Sequence, residues 1–489
     1  MLTLINTNRM NPPIGPIGLD YLADAARQAG IETEVLDLCL PAEPAAALRQ
    51  YFQQRQPRLV GVTFRNVDDC YWASSRWFAG ELATWVTSLR SLTDAPVVLG
   101  GVGYSMFPHA LLQLTGADYG IHGDGEQAIL RLHQELTGRE RWHEVPGLLW
   151  RQDGRVVSNA PAWPHQLPQA SPRDAVDNRA YFRRGGQGGF ETKRGCPRQC
   201  LYCADPVAKG TEARLRTPPA IAGEVQALLR QGIDVLHTCD AEFNLPAEHA
   251  LAVCQEFIRR RLGSRLRWYA YCAVVPFDDE LAQALAAAGC VGINFTSDSA
   301  SPAMLRHYRQ PHQPADLTRA VRLCRQHGMA VMLDLLLGGP GETPDTLRQT
   351  IAFVRRLAPD CVGASLGVRV YPGTPLADDL AAAGPADRNP NVRRSYEGPL
   401  DLLRPTFYVS AALGPRPAQL IRELIAGDPR FFAPTDPTDA RNGASAGSEH
   451  NYNENERLIQ AVAAGRRGAY WDILRSLRAA DPPNKQETP

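Results

Sequence analysis

The sequence predicts an α/β chain in two successive parts: an open, doubly wound parallel sheet, then a partial (β/α)6 barrel closed by a small C-terminal region. Three observations lead there. Strand-like apolar runs alternate with helix-period segments through the first 140 residues, a Pro-rich stretch interrupts them, and six further units follow from residue 189.

The first series begins with "LTLIN" (2–6) and a helix near 17–30, then "TEVLDL" (33–38) and a helix near 44–55. "LVGVTF" (59–64) leads to a helix near 74–91, "PVVLGG" (96–101) to "FPHALLQLTG", and "DYGIHGDG" (118–125) to "EQAILRLHQEL". Five such units imply a parallel sheet covered on both faces, with ligands bound at the carboxyl ends of its strands. In the next stretch, "GLLWRQDGRVV" reads as a hairpin about Asp153-Gly154, and "SNAPAWPHQLPQASPRD" as a linker. The second series places strands near 189–193, 234–238, 267–272, 291–295, 331–337 and 362–368. In such a barrel the chemistry sits at the C-terminal strand ends. Past 395 the pattern loosens into a polar loop at 431–455, a helix-like "ERLIQAVAAGRRGAYWDILRSLR" and a loose tail. The expected divisions are 1–140, 141–188, 189–395 and 396–489.

Composition narrows the function. The chain has 489 residues, with 52 Lys+Arg against 52 Asp+Glu, so the basic excess of a nucleic-acid binder is missing. No basic segment leads into an apolar run at the start, and no stretch is apolar enough to span a membrane. The expectation is a cytoplasmic enzyme with reduced thiols. Of 11 cysteines only three cluster, Cys196, Cys200 and Cys203, spaced C-x3-C-x2-C in "GFETKRGCPRQCLYCADP" directly after a strand. A zinc site completed by a distant His or Cys is one reading. Zinc motifs, however, usually pair C-x2-C with a second Cys/His pair, and none stands out here. A three-thiolate loop suits a [4Fe–4S] cluster with one open iron, which is the favoured reading.

The spacing, the flanking "KRGCP" and the aromatic Tyr202 before the third cysteine resemble the radical SAM superfamily. The resemblance implies that the open iron binds the amino and carboxylate groups of S-adenosylmethionine (SAM). It extends along the barrel. In "HTCDAEFN" Glu242 matches the family's Gly-Gly-Glu, with Asp240 and Ala241 in place of the glycines; Glu242 then binds the methionine or approaches the iron itself. "NFTSDSAS" offers Ser297 and Asp298 for ribose and methionine, "LLLGGPGET" brings Gly339, Tyr202 and the backbone of "VRVYPGTPL" fall near the adenine, and Arg369 either holds a carboxylate or makes an ordinary surface ion pair.

The first sheet lacks the G-x-G-x-x-G of a dinucleotide site. An N-terminal Rossmann-like domain, a linker and a radical SAM barrel together resemble the cobalamin-dependent class. There the loops after strands three and four wrap the nucleotide tail, which implicates Arg65, Asn66, Gly100, Gly101 and Gly103. No histidine precedes His109, so the usual lower-face ligand is missing. Arg65 is the candidate neighbour of that face; the plainer alternative is that it pairs with Asp68 or Asp69. Tyr271 is a candidate substrate contact, and "EHNYNENER" either closes the site or is a plain polar loop.

The phrases "HTCDAEFN", "GINF", "LLLGGPGET" and "RGAYWDIL" resemble the tryptophan 2-C-methyltransferase branch. The resemblance implies C-methylation of a small molecule or natural-product precursor, with a [4Fe–4S] cluster, SAM and cobalamin as cofactors and flavodoxin or ferredoxin as electron donor. The alternatives are an isomerase, oxidase or cyclase of the same architecture that moves no methyl group, and a zinc-stabilised binding protein.

Overall fold

The structure is a computed structural model. It describes residues 1–167, 171–437 and 450–480. The expected tail, much of the expected 431–455 loop and three residues of the Pro-rich linker lie outside the described residues.

The first sheet contains β1 (Leu2–Asn6), β2 (Thr33–Asp37), β3 (Leu59–Thr63), β4 (Val97–Gly100) and β5 (Tyr119–Ile121), all parallel, in the order β2-β1-β3-β4-β5. β1 is buried along its whole length because helices cover both faces, which is why "LTLIN" shows no polar alternation. The hairpin β6 (Leu148–Gln152) and β7 (Arg155–Ser158) extends this sheet antiparallel to β5. Its turn puts Asp153 and Gly154 at φ 50° and 75°, the left-handed pair that a two-residue hairpin requires. Strand order reverses between β1 and β3, which opens a crevice at their carboxyl ends.

The second sheet is a parallel partial barrel. It starts at β8 (Gly188–Phe190), which is followed by the short antiparallel pair β9 (Lys193–Arg194) and β10 (Arg214–Leu215). The barrel continues through β11 (Val235–Thr238), β12 (Arg267–Cys272), β13 (Cys290–Asp298), β14 (Ala330–Leu337) and β15 (Cys361–Leu366). A small antiparallel sheet of β16 (Val368–Arg369), β17 (Val392–Arg394) and β18 (Thr406–Tyr408) follows. A seventh strand unforeseen in the sequence, β19 (Phe431–Phe432), pairs with β15; two residues are too few to show a period.

Outward-facing barrel residues such as Phe190, Trp268 and Leu333 pack with Val225, Phe257 and Ile351 of the surrounding helices. Inward-facing Tyr269, Met332 and Cys361 meet Tyr470, Trp471 and Leu474 instead. The C-terminal segment "RGAYWDIL" therefore plugs the barrel's concave side, with the Tyr269 hydroxyl donating to Asp472 at 2.7 Å.

A buried ionic network joins the two parts. Arg173, in the linker, bonds Asp20 of the first domain and Glu224 of the barrel, each at 2.7 Å. Arg216 bonds Glu224 at 2.6 Å, and its guanidinium and that of Arg173 both face the Tyr21 ring. Arg194 bridges Glu126 (2.7 Å) and Glu191 (2.9 Å), and Arg214 pairs with Asp124. This network holds the carboxyl ends of the first sheet against the start of the barrel.

Candidate active site

At the β1/β3 switch point lies a cavity of roughly 250 Å³, reached by Asn8, Thr63, Arg65, Gly100 and Gly101. A Cβ on Gly100 would meet nothing within 4 Å, so this glycine faces open space. Gly101 is needed for the turn itself: its φ is 100°, and a Cβ would come 2.8 Å from the Phe64 carbonyl oxygen. Gly103 does not line this cavity. It is small because the Arg65 carbonyl lies 2.8 Å from where its Cβ would stand.

Arg65 projects from the end of β3 into both this cavity and a second of roughly 160 Å³, which Asn66 also lines. Its sequence neighbours are engaged elsewhere. Asp68 pairs with Arg369 at 2.8 Å, and Asp69 accepts from Ser74 at 2.6 Å and Asn451 at 3.1 Å. Arg65 thus has no ion pair with a described residue, and its charge acts on Cys239 and Tyr271 at the barrel mouth. The side-chain oxygen of Asn66 is buried without a hydrogen-bond partner. Arg369, expected to contact a cofactor, is a clamp instead. Besides Asp68 it donates to the Val370 carbonyl at 2.5 Å and the Leu402 carbonyl at 2.9 Å, and it stacks on Tyr371.

On the barrel side the cysteines lie in the loop after β9. Asp240, which replaces a family glycine, anchors this loop by accepting from the Thr192 amide (2.8 Å), the Thr192 hydroxyl (2.6 Å) and the Lys193 amide (3.2 Å). Among the described residues no three His, Cys, Asp or Glu side chains are gathered as if around one metal ion. The three cysteines nonetheless sense one another's charge. Thiols that are near but not convergent suit a cluster of several atoms better than a single ion. Burial pushes the Cys200 thiol up to about 12, and the nearby Asp298 adds to the shift.

Two buried polar atoms beside the cysteines lack partners: Lys193 Nζ and Glu242 Oε2. The other carboxylate oxygen of Glu242 accepts from the Thr296 hydroxyl at 2.6 Å, and burial raises its carboxyl to about 8. The Tyr202 hydroxyl donates to Asp298 at 2.7 Å. Gln310, which carried no signal in the sequence, donates to Asp298 at 2.6 Å and to Cys200 Sγ at 3.4 Å. Ser297, expected to contact ribose or methionine, is fully buried and donates to the Asp334 carbonyl at 2.7 Å. Gly339 leaves room for Tyr308, whose hydroxyl would lie 2.3 Å from a Cβ there.

Deeper in the barrel, Tyr271, Asn294, Asp334 and Ser365 come together from four adjacent strands, with His450 entering from the C-terminal region. The segment after His450 reaches back to the first domain. Tyr71 donates to the His450 carbonyl, Asn451 to Asp69, and Glu454 pairs with Arg76 at 2.5 Å. Of "EHNYNENER", the described part from His450 onward is therefore a strap between the domains. Asp334, Asn294 and Lys193 were hidden in the sequence because nothing in an apolar strand, or beside a motif, marks which polar residue will be left unpaired.

The groups present fit the cofactors expected from the sequence. Orphaned polar atoms surround the three cysteines, and a glycine-floored cavity opens at the sheet's switch point. Protein-family comparison matches residues 190–354 to the radical SAM superfamily and residues 5–133 to the B12 binding domain. Fold and site thus define an enzyme class in which a B12-binding sheet is joined to a radical SAM barrel. The tryptophan 2-C-methyltransferase of Streptomyces laurentii is 37% identical over 447 residues, covering 78% of this chain and 74% of that protein. The structure of the radical SAM methyltransferase TsrM from Kitasatospora setae, with tryptophan and a SAM analogue bound, superposes with a TM-score of 0.89 at 33% identity over 98% of both chains. The same enzyme with cobalamin and a [4Fe–4S] cluster superposes at 0.86. The chain belongs to the cobalamin-dependent radical SAM methyltransferase family. Among the described residues no helix is long and apolar enough to cross a membrane.

Proposed function

We propose that this chain is a tryptophan 2-C-methyltransferase, or methylates a closely related indole, using cobalamin, a [4Fe–4S] cluster and SAM. The observation that carries this reading is the end-to-end match to a methyltransferase solved with tryptophan and a SAM analogue. When bound, the cofactors supply an activated methyl group, and the protein supplies position and exclusion of water.

The residues divide that work. Cys196, Cys200 and Cys203 would hold the cluster, which would supply the binding position for SAM. Glu242 and Lys193, each with an unpartnered buried atom, face the SAM that completes it. Tyr202, fixed by its bond to Asp298, walls the adenine pocket. Gly100 and Gly101 floor the cavity that takes the cobalamin tail. Arg65, without an ion pair among the described residues, would stand beside the corrin and disfavour a further ligand there. Tyr271 contacts the substrate. Flavodoxin or ferredoxin serves as electron donor, and the enzyme works in the cytoplasm.

The test is anaerobic turnover of the reconstituted protein with SAM and tryptophan. The expected product is heavier by one CH2, with the new methyl on indole carbon 2. A rearranged or oxidised product of unchanged carbon count, from protein loaded with both cofactors, would overturn methyl transfer in favour of the isomerase, oxidase or cyclase alternative.

A further inference from the structure

The polar group deep in the barrel has a lopsided chemistry that the assignments above leave unused. Asp334 Oδ1 and Asn294 Oδ1 are both buried, and neither has a hydrogen-bond partner among the described residues. Leaving two acceptors unpaired is costly unless a ligand completes them. They share the concave face: Asp334 is level with Thr296, two residues beyond Asn294 on β13, and Tyr271 is level with Asn294.

The donors around them are neutral: the Asn294 amide, His450 and the tyrosine hydroxyls. His450 Nε2 lies 3.3 Å from Asp334 Oδ1 but off the line of a hydrogen bond, and its Nδ1 is 3.3 Å from Ser365 Oγ. Burial pushes the His450 ring down to about 4, so it is neutral near pH 7. Among the described residues neither Lys nor Arg pairs with Asp334. Burial raises the Asp334 carboxyl to about 7, the Asn294 amide N–H opposes that rise, and Asp298, Tyr71, Tyr271 and Tyr452 bear on it or its surroundings. The site therefore offers an acidic group, an amide oxygen and aromatic faces, with no cation paired to Asp334 among the described residues; the charge of Arg65 reaches Tyr271.

The next strand packs closely against this group. Gly363, level with Asp334 on β15, bears no side chain; a Cβ there would lie 2.5 Å from the His450 ring and 2.8 Å from Asp334 Oδ1. The Asp334 side chain keeps 24% of its surface exposed inside the barrel.

We propose that Asp334 and Asn294 form a subsite for a primary ammonium group of the substrate, walled by Tyr71, Tyr271 and Tyr452. A primary ammonium brings three N–H donors and a charge that aromatic faces favour. A lone ring N–H would satisfy one acceptor and leave the other empty. The inference rests on the methyltransferase reading and adds to it: the enzyme selects an amine-bearing indole.

The test uses the reconstituted holoenzyme and three ligands: tryptophan, tryptamine, which keeps the amine, and indole-3-propionate, which keeps the carboxylate. Equilibrium binding and methylation are measured for each, on the parent and on Asp334→Asn. The parent should bind the two amines about 10–100-fold more tightly than indole-3-propionate, the range of one charge-assisted hydrogen bond. In Asp334→Asn that preference should collapse to within about threefold, with cobalamin and iron content unchanged. The parent's preference needs no variant, so a misfolded Asp334→Asn would not rescue the idea. A parent that methylates tryptophan without preferring amines, or a folded Asp334→Asn that keeps the preference, overturns the subsite alone. A parent that methylates none of the three overturns the function reading and the subsite with it.

Discussion

The interdomain network and the chamber beside it are both rich in buried polar groups, yet they are completed in opposite ways. In the network, charges find partners within the chain: Arg173 reaches Asp20 and Glu224, Arg194 reaches Glu126 and Glu191, and Arg214 reaches Asp124, its Nε alone being left without a partner among the described residues. In the chamber, Asn66, Lys193, Glu242, Asn294 and Asp334 each keep an atom without a hydrogen-bond partner, and Arg65 has no ion pair with a described residue. Buried charge that is paired locks geometry; buried polarity that is unpaired marks where something else binds. The first region fixes how the domains meet, and the second gathers the groups left open at the cavities, the cysteine loop and the barrel interior.

Substitutions in the two regions should therefore fail differently. The largest effect on function is expected at the cysteines. Cys203→Ala should drop iron content and methyl transfer to background while the chain stays folded, as metal analysis and circular dichroism would record. The largest effect on stability belongs to the network. Arg173→Ala removes the counter-ion of buried Asp20 and leaves Glu224 with Arg216 alone, and should cost about 3–5 kcal/mol in denaturant unfolding. A loss below about 1 kcal/mol would show the network to be ornamental. Gly363→Ala falls between the two regions in kind. Its Cβ crowds His450 and Asp334, so about 1–3 kcal/mol of stability should go, together with substrate affinity but not cobalamin content. The smallest stability effect is predicted for Arg65→Ala, within about 0.5 kcal/mol because no partner is lost. The absorption spectrum of bound cobalamin should nevertheless shift, and an unchanged spectrum in both Arg65→Ala and Arg65→His would remove Arg65 from the corrin face.

Much of this was legible in the sequence, for physical reasons that also explain the gaps. Alternating strand and helix periods revealed both sheets, and Asp153-Gly154 revealed its hairpin, because those signals are local. Two-residue β19 left no period to read. The cysteine spacing stood out because three thiols so close together rarely serve packing. Arg369 and Ser297 sat beside motifs and looked like ligands, but their partners, Asp68 and the Asp334 carbonyl, are remote in the chain. Gly103 looked like a cradle residue and is instead a packing necessity beneath the Arg65 carbonyl. Conversely, Asp334 in "VMLDLLL" and Asn294 in "GINF" looked like strand residues, since an unmet hydrogen bond exists only once the barrel has closed.

The central claim is that the chamber between the two domains is completed by cofactors. The most direct measurement is the cofactor content of the anaerobically purified and reconstituted chain, by metal analysis and absorption spectroscopy. The account predicts one cobalamin and about four irons per chain, with the broad absorbance of a cluster near ~400 nm. A folded chain that takes up zinc at the three cysteines, or that binds iron but no cobalamin, would contradict it.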